Sequence, residues 1–371
     1  MVNKERMVNE FIELVEIDSL SYKERDMADR LKNKLTAIGY DVYEDDAGKK
    51  VGGNTGNLIC KIKGNKDVPA IMLVAHMDTV VPGIGKKAVI KGDVIVSGGA
   101  TVLGADDISG IECILEVVRV LKEKNISHGD IYAVFTIAEE KGLIGAKNLD
   151  YEKIDAKYGF VLDVGGKSGN VAIRQPIKHA TTITVLGKAA HAGSRPEEGI
   201  NAIQIASKAI AGMKLGRIDS ETTANIGIIR GGEASNIVCD RVDIKAEARS
   251  LNKEKLETQI NHMKECFLSA AKEYGGSMEF ESKQTSPGFS MDENDEIIKI
   301  LKKTAELTNF NLNLISTGGV SDTCILNSKG IQAVNICSGA GKSHALDEFV
   351  SINDMVKTAN FLLALIEHGI S

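Results

Sequence analysis

Five separated segments of the chain carry side chains able to hold a divalent cation: His76 and Asp78, the pair Asp106/Asp107, the pair Glu139/Glu140, Asp163, and His344. Each reads as following an apolar, strand-like run. No single segment supplies enough donors alone. Together they offer two imidazoles and at least three carboxylates, a mixed hard and borderline set suited to a pair of zinc, manganese or cobalt ions sharing one carboxylate. The chemistry such a set predicts is hydrolysis at a two-metal centre.

In AIMLVAHMDTV, His76 and Asp78 stand two apart at a strand exit, so both side chains point to one side. One can bind a metal while the other accepts the imidazole's second N–H. In GADDISG the acids open a helix, where its dipole and free N–H groups also favour carboxylates as caps. FTIAEEKGLIGA sets two glutamates directly after an apolar run, a poor place for idle charge. Adjacent residues at a strand end diverge, so one glutamate can ligate while the other acts as general base toward an attacking water. VLDVGG places Asp163 at the end of another apolar run, with glycines that permit close approach, and SHALDEF supplies His344. His128, His179, His262 and His368 lack acidic partners at comparable spacing and receive no role.

These residues must be positioned by elements that the pattern also reveals. A chain of 371 residues exceeds the size at which one core keeps growing, so a large domain and a smaller one are expected. Charged residues make up 26% with a net charge of only −6, which argues against a nucleic-acid groove or a basic membrane surface. Six cysteines without CxxC spacing read as free thiols. The N-terminal stretch mixes charges into a helical period and is neither signal peptide nor membrane span, so a cytoplasmic location is expected. Met7, Phe11, Leu14 and Val15, then Met27, Leu31, Leu35 and Ile38, mark two opening helices. NLICKIKG, AIMLVAHMD, DIYAVFTIAEE and YGFVLDV alternate with a helical period from Ile108 to Leu121. That alternation predicts an α/β fold with a largely parallel sheet. From near Gln175 the order becomes β-α-β-β-α-β, a ferredoxin-like α+β unit, and after Pro287 and Gly288 the α/β pattern resumes. The expected domains are therefore 1–175 with 289–371, interrupted by 176–288.

HMD, GADDISG, AEEKGLIGA, LDVGG, HAGSRPEEGINA and GGVSDT…SHALDEF, in that order over nearly the whole chain, resemble the co-catalytic zinc peptidase superfamily that includes carboxypeptidase G and acetylornithine deacetylase. Within it the motifs are most similar to the peptidase T-like tripeptidases. The resemblance implies a zinc-exopeptidase catalytic domain with an inserted lid and dimerisation domain. It implies that Asp106 bridges two ions, zinc foremost with cobalt or manganese possible in its place. His76 and Asp163 would complete one ion site, Glu140 and His344 the other, with Asp78 bracing His76 and Glu139 as the catalytic base. It further implies that His191 crosses a homodimer interface to hold the substrate carbonyl, that Asn236 and Arg249 contact substrate, and that the main chain at Gly318 and Gly319 approaches a substrate carboxylate. Where many members of the family have lysine after the paired aspartates, this chain has Ile108, a change bearing on local charge and substrate preference. The implied reaction is removal of N-terminal residues from short peptides. A deacylase of N-acyl amino acids and a non-catalytic peptide-binding relative are the alternatives.

Overall fold

The apolar runs become the middle of a mostly parallel sheet in the computed structural model, which describes residues 1–370. The chain divides into two compact units. The first comprises Met1–Arg174, Ser290–Ser316 and Ser321–Ser371; the second comprises Gln175–Phe289 and Thr317–Val320.

In the first unit the strands lie in the order Val42–Glu44, Leu58–Ile62, Ile131–Thr136, Ile71–His76, Tyr158–Val164, Gln332–Cys337 and Asn170–Gln175. From Ile131–Thr136 to Gln332–Cys337 the neighbours are parallel, and the strands flanking them pair antiparallel. Alternate residues enter different cores. Leu73, Ala75, Ala133, Phe135, Phe160 and Leu162 join one; Met72, Val74, Tyr132, Val134 and Val161 join the other. Burial on both faces is why these strands read as continuous apolar runs and not as an alternating pattern. The helices Lys4–Val15, Arg25–Ile38, Ala105–Glu123, Glu296–Thr308 and Ile352–Ala364 line the first core through residues such as Phe11, Leu35, Ile111, Leu301 and Phe361. Parallel strands send their carboxyl ends the same way, so His76, the chain leading to Glu139, and Asp163 emerge along one sheet edge, where ligands of open α/β sheets bind.

A small sheet escaped the periodicity reading. Ala88–Lys91, Val94–Ser97, Phe349–Ser351 and Ala340–Gly341 pair antiparallel in segments too short to show a period. The last two flank the segment that carries His344.

The second unit is a fully antiparallel sheet in the order Gly216–Arg217, Thr222–Gly231, Arg241–Ser250, Ile177–Leu186 and Ser277–Ser286. The helices Ala202–Ala211 and Lys253–Tyr274 close over Ile183, Val185, Val242 and Ile244 with Ile205, Ala206, Phe267 and Ala271. Both helices start at an asparagine whose side chain accepts main-chain N–H bonds, Asn201 from Ile203 and Gln204 and Asn252 from Lys255. All six cysteines are free. Among the described residues no helix is long and apolar enough to cross a membrane.

Candidate metal centre

His76 ends its strand almost fully buried, with Nε2 3.2 Å from Asp106 Oδ1. On the other side of the same carboxylate, Asp106 Oδ2 lies 3.5 Å from His344 Nε2, which also sits 2.5 Å from Glu140 Oε1. Each oxygen of Asp106 thus faces a different imidazole, the disposition a carboxylate shared between two ions requires. Two overlapping sets of donors lie within 4.8 Å of one another, His76 with Asp106 and Glu140, and His76 with Glu139 and Asp163. Sequence positions 76 to 344 therefore converge on one cluster. Glu139, expected as the base, stands beside His76 and Asp163 in this cluster.

Asp106 follows no strand directly. It lies at the start of Ala105–Glu123, where Asp106 and Asp107 depart from helical dihedrals. Glu139 and Glu140 also lie beyond their strand, which stops at Thr136; Ala138 adopts a left-handed conformation with φ 45°, and a 3₁₀ turn carries both acids. Their relative orientation is that of a turn and not of a pleat.

The Asp78 carboxylate does more for this turn than for His76. Its Oδ1 accepts the Glu139 N–H at 2.9 Å, and its Oδ2 accepts the Ser21 hydroxyl at 2.6 Å and the Glu140 N–H at 3.3 Å. His76 Nδ1 meets the Asp78 main-chain carbonyl at 2.8 Å, with the carboxylate 3.5 Å away. A carbonyl only accepts, so Nδ1 carries a proton, which leaves Nε2, the nitrogen facing Asp106, as the one that would bind a metal.

Other buried polar groups hold the main chain of the remaining donors. Asp107 Oδ2 accepts the His76 N–H at 3.3 Å. Glu24 Oε1 accepts the Ala138 N–H at 2.9 Å. Asn335 Oδ1 accepts the Asp163 N–H at 2.8 Å while its Nδ2 donates to the Asp163 carbonyl at 2.6 Å. The sequence reading missed Glu24 and Asn335 because both act on main chain from distant segments. Asn335 left one visible signal, an amide inside the apolar run IQAVNIC.

Burial and mutual repulsion pull these groups apart electrostatically. Burial raises Glu139, and Asp322, Glu140 and Asp78 add to it against the opposing effect of His76. Burial likewise raises Asp163, with Asp106 and Glu139 contributing. For Asp106 burial acts upward, but hydrogen bonds from His344 and His76 win and hold it below the usual carboxylate range. Bonds to Asp106 and Glu140 raise His344 to about 10. Carboxylates so crowded and so buried require positive charge to be ionised together. The nitrogen and oxygen donor set fits a pair of divalent cations.

The second unit holds other candidates. His191 is exposed, and its Nδ1 accepts the N–H groups of Gly193 at 3.1 Å and Ser194 at 3.2 Å, leaving Nε2 as the donating nitrogen. Asn236, also exposed, accepts the Ala192 N–H at 2.9 Å through its main-chain carbonyl. Arg249 donates from Nε to Glu247 at 2.8 Å and from Nη1 to the Gly318 carbonyl at 3.1 Å, so two of the expected substrate positions touch. A Cβ built at Gly318 would meet nothing within 4 Å, and at Gly319 only Thr317 Oγ1 at 3.6 Å. The packing of the chain itself therefore does not require either glycine. Ile108 is fully buried in the first core and belongs to helix packing.

A mostly parallel α/β sheet bearing clustered imidazoles and carboxylates at its strand ends defines a metal-dependent hydrolase. The chain belongs to peptidase family M20/M25/M40, which it matches over residues 72–368. It is similar to the solved aminopeptidase PepT of Bacillus cereus, with 47% identity, a TM-score of 0.89 and 99% of each chain covered. It is also similar to a solved tripeptidase of Staphylococcus aureus, with 42% identity, a TM-score of 0.94, and coverage of 100% of this chain and 99% of that one. YqjE of Bacillus subtilis is 46% identical over 369 residues, covering 100% of each chain.

Proposed function

We propose that this protein is a dizinc aminopeptidase that removes the N-terminal residue of short peptides, tripeptides among them. The observation that carries the reading is Asp106 set between two imidazoles with Glu139 in the same cluster. Similarity to an aminopeptidase and a tripeptidase supports the substrate class. His76, Asp106, Glu140, Asp163 and His344 would hold the ions, with cobalt or manganese able to replace zinc. When bound, such ions bring a water's pKa toward neutrality and polarise the scissile carbonyl.

Glu139 takes the proton from the attacking water and passes it to the departing amine. Its buried setting, which raises its affinity for a proton, suits both halves of that task. Asp78 keeps the Glu139–Glu140 turn aimed, through main-chain hydrogen bonds that do not themselves change during turnover. His191 Nε2–H is the donor for the carbonyl oxygen, acting in the partner subunit of a homodimer. Asn236, Arg249 and the main chain of Gly318 and Gly319 hold the far end of the peptide, Arg249 through its planar guanidinium.

The homodimer reading draws support from the strand Thr222–Gly231. Among the described residues its outer edge is paired only at Thr223 and Ala224, while Ile228 and Ile229 beyond are exposed, an edge suited to a second copy. The second unit would then serve as lid and dimerisation domain. Free thiols agree with a cytoplasmic setting.

The test is a mass-resolved digest of mixed di-, tri- and tetrapeptides, free and N-acetylated, with zinc, cobalt or manganese restored to chelator-treated protein. Release of N-terminal residues from the free peptides alone is the expected result. Cleavage confined to acetylated substrates would make the protein a deacylase, and no cleavage by fully loaded protein would make it a binding relative.

A further inference from the structure

Glu348 is 1% exposed, and the hydrogen bonds of its carboxylate run to main chain and not to the donor side chains of the centre. Its Oε2 accepts the Gly104 N–H at 2.7 Å and its Oε1 accepts the Asp106 N–H at 3.1 Å, across more than two hundred residues of chain. Both oxygens are thereby committed to the main chain of the turn that presents the shared carboxylate.

Glu348 also belongs to the segment that presents His344. Ala340–Gly341 and Phe349–Ser351 pair with each other, and Phe349–Ser351 pairs in turn with Val94–Ser97. Between the first two strands the chain forms an excursion with Lys342 and His344 both at positive φ, 57° and 67°. The His344 side chain is half exposed. A left-handed conformation at two non-glycine residues costs free energy and persists only where surrounding contacts hold it. The excursion closes with the Glu348 N–H donating to the Ala345 carbonyl at 3.1 Å.

We propose that Glu348 is a positioning residue of the metal centre, fastening the excursion that carries His344 to the turn that carries Asp106. Through one buried carboxylate, a ligand near the C-terminal end of the chain is registered against the carboxylate both ions share. The competing explanation is a helix cap. Gly104 precedes Ala105–Glu123 and has no side-chain cap of its own, so Glu348 would serve that helix alone. The two explanations differ in whether the effect of Glu348 depends on His344.

The chemistry of substitution is selective. Glu348→Gln replaces one acceptor by an NH₂ group facing a main-chain N–H, while Glu348→Asp keeps the charge but is one methylene too short to reach both donors. The experiment uses the full-length, chelator-stripped protein titrated with cobalt(II), followed by calorimetry and visible absorption. The proteins are wild type, E348Q, E348D, H344A and H344A/E348Q. The proposal rests on the metal-centre reading. Failure of that reading would appear as wild type binding no cobalt, whereas failure of the proposal appears only in the variants.

E348Q is expected to weaken the more loosely held cobalt about 10–100-fold, the range typical for groups that orient ligands, and to alter its absorption band. In the H344A background the same substitution is expected to cost less than about threefold, since the link then has nothing to register. Unchanged cobalt affinity in E348Q, or equal losses with and without His344, would overturn the proposal and leave Glu348 a helix cap. Should E348Q fail to fold, E348D is read by the same criteria. Failure of both to fold would make Glu348 a folding determinant and also overturn the proposal.

Discussion

The two units hold their candidate residues in opposite ways. In the first, four of the donors sit on main chain fastened by another buried polar group: His76 by Asp107, Asp106 by Glu348, Glu140 by Asp78, and Asp163 by Asn335. In the second, His191 and Asn236 are exposed, and their hydrogen bonds run to nearby main chain. The contrast follows from the work proposed for each region. A cluster of like charges has to be assembled before any ligand arrives, and only fixed dipoles in a dry interior hold it at low reorganisation cost. Groups that meet a substrate or a second subunit must remain on the surface until that encounter.

Substitutions in the two regions should therefore fail differently. Asp106→Asn removes the charge shared by both imidazoles, and is expected to abolish ion loading and lower activity by at least about 10³-fold; elemental analysis beside a peptidase assay checks this. A fully loaded, active D106N protein would break the comparison at its centre. Glu139→Gln should lower kcat by roughly 10²–10⁴-fold while the protein keeps its ions, because an amide cannot accept the proton. If ions are lost instead, Glu139 is a ligand, as its place beside Asp163 allows, and the base must be sought elsewhere.

In the second unit, His191→Ala is expected to reduce kcat on the order of 10²-fold with ion content untouched, the usual loss for one donor to a developing oxyanion. Mixing H191A with inactive E139Q protein sharpens this. Recovered activity would show that the histidine serves the partner's site. Arg249→Ala should raise KM about tenfold for free peptides and less for peptide amides, because the amides lack the carboxylate; equal effects on both would remove Arg249 from substrate binding.

The smallest expected effect concerns protons. Raised to about 10 by Asp106 and Glu140, His344 is an imidazolium in the ion-free protein at neutral pH. Its folded-state pKa lies above the unfolded value, so the stabilisation is complete below the ordinary histidine range and disappears as pH rises through about 10. His344→Gln should then destabilise the ion-free protein by under about 1 kcal/mol near pH 6, since water screens this half-exposed group. The difference should vanish toward the alkaline limit, as thermal melts can show. A gap that widens with pH would reverse the assignment.

Much of the centre was legible because donor chemistry is local. An HxD after an apolar run, a paired aspartate, a paired glutamate and a late histidine each announce a side chain able to bind a metal, and the β-α-β-β-α-β pattern announces the second unit. What escaped was the means of support. Nothing near Glu24 or Glu348 in sequence distinguishes them from surface acids, since the main chain they hold at the centre, Ala138 for Glu24 and Gly104 and Asp106 for Glu348, lies on segments far away along the chain. The Glu139–Glu140 turn escaped as well. Strand periodicity extends no further than Thr136, and the left-handed Ala138 that redirects the chain is held by Glu24.

The sequence by itself determined the donor types, the two-sided burial of the strands and the α/β class, because residue chemistry and hydrophobic period are properties of short stretches. Only the tertiary structure decided that Asp106 lies between His76 and His344, and that Asp78 serves the glutamate turn more than its neighbour in sequence. Those relations depend on which strands become adjacent in the sheet and on which buried N–H finds which carboxylate, because a main-chain N–H left unpaired in a dry interior is costly.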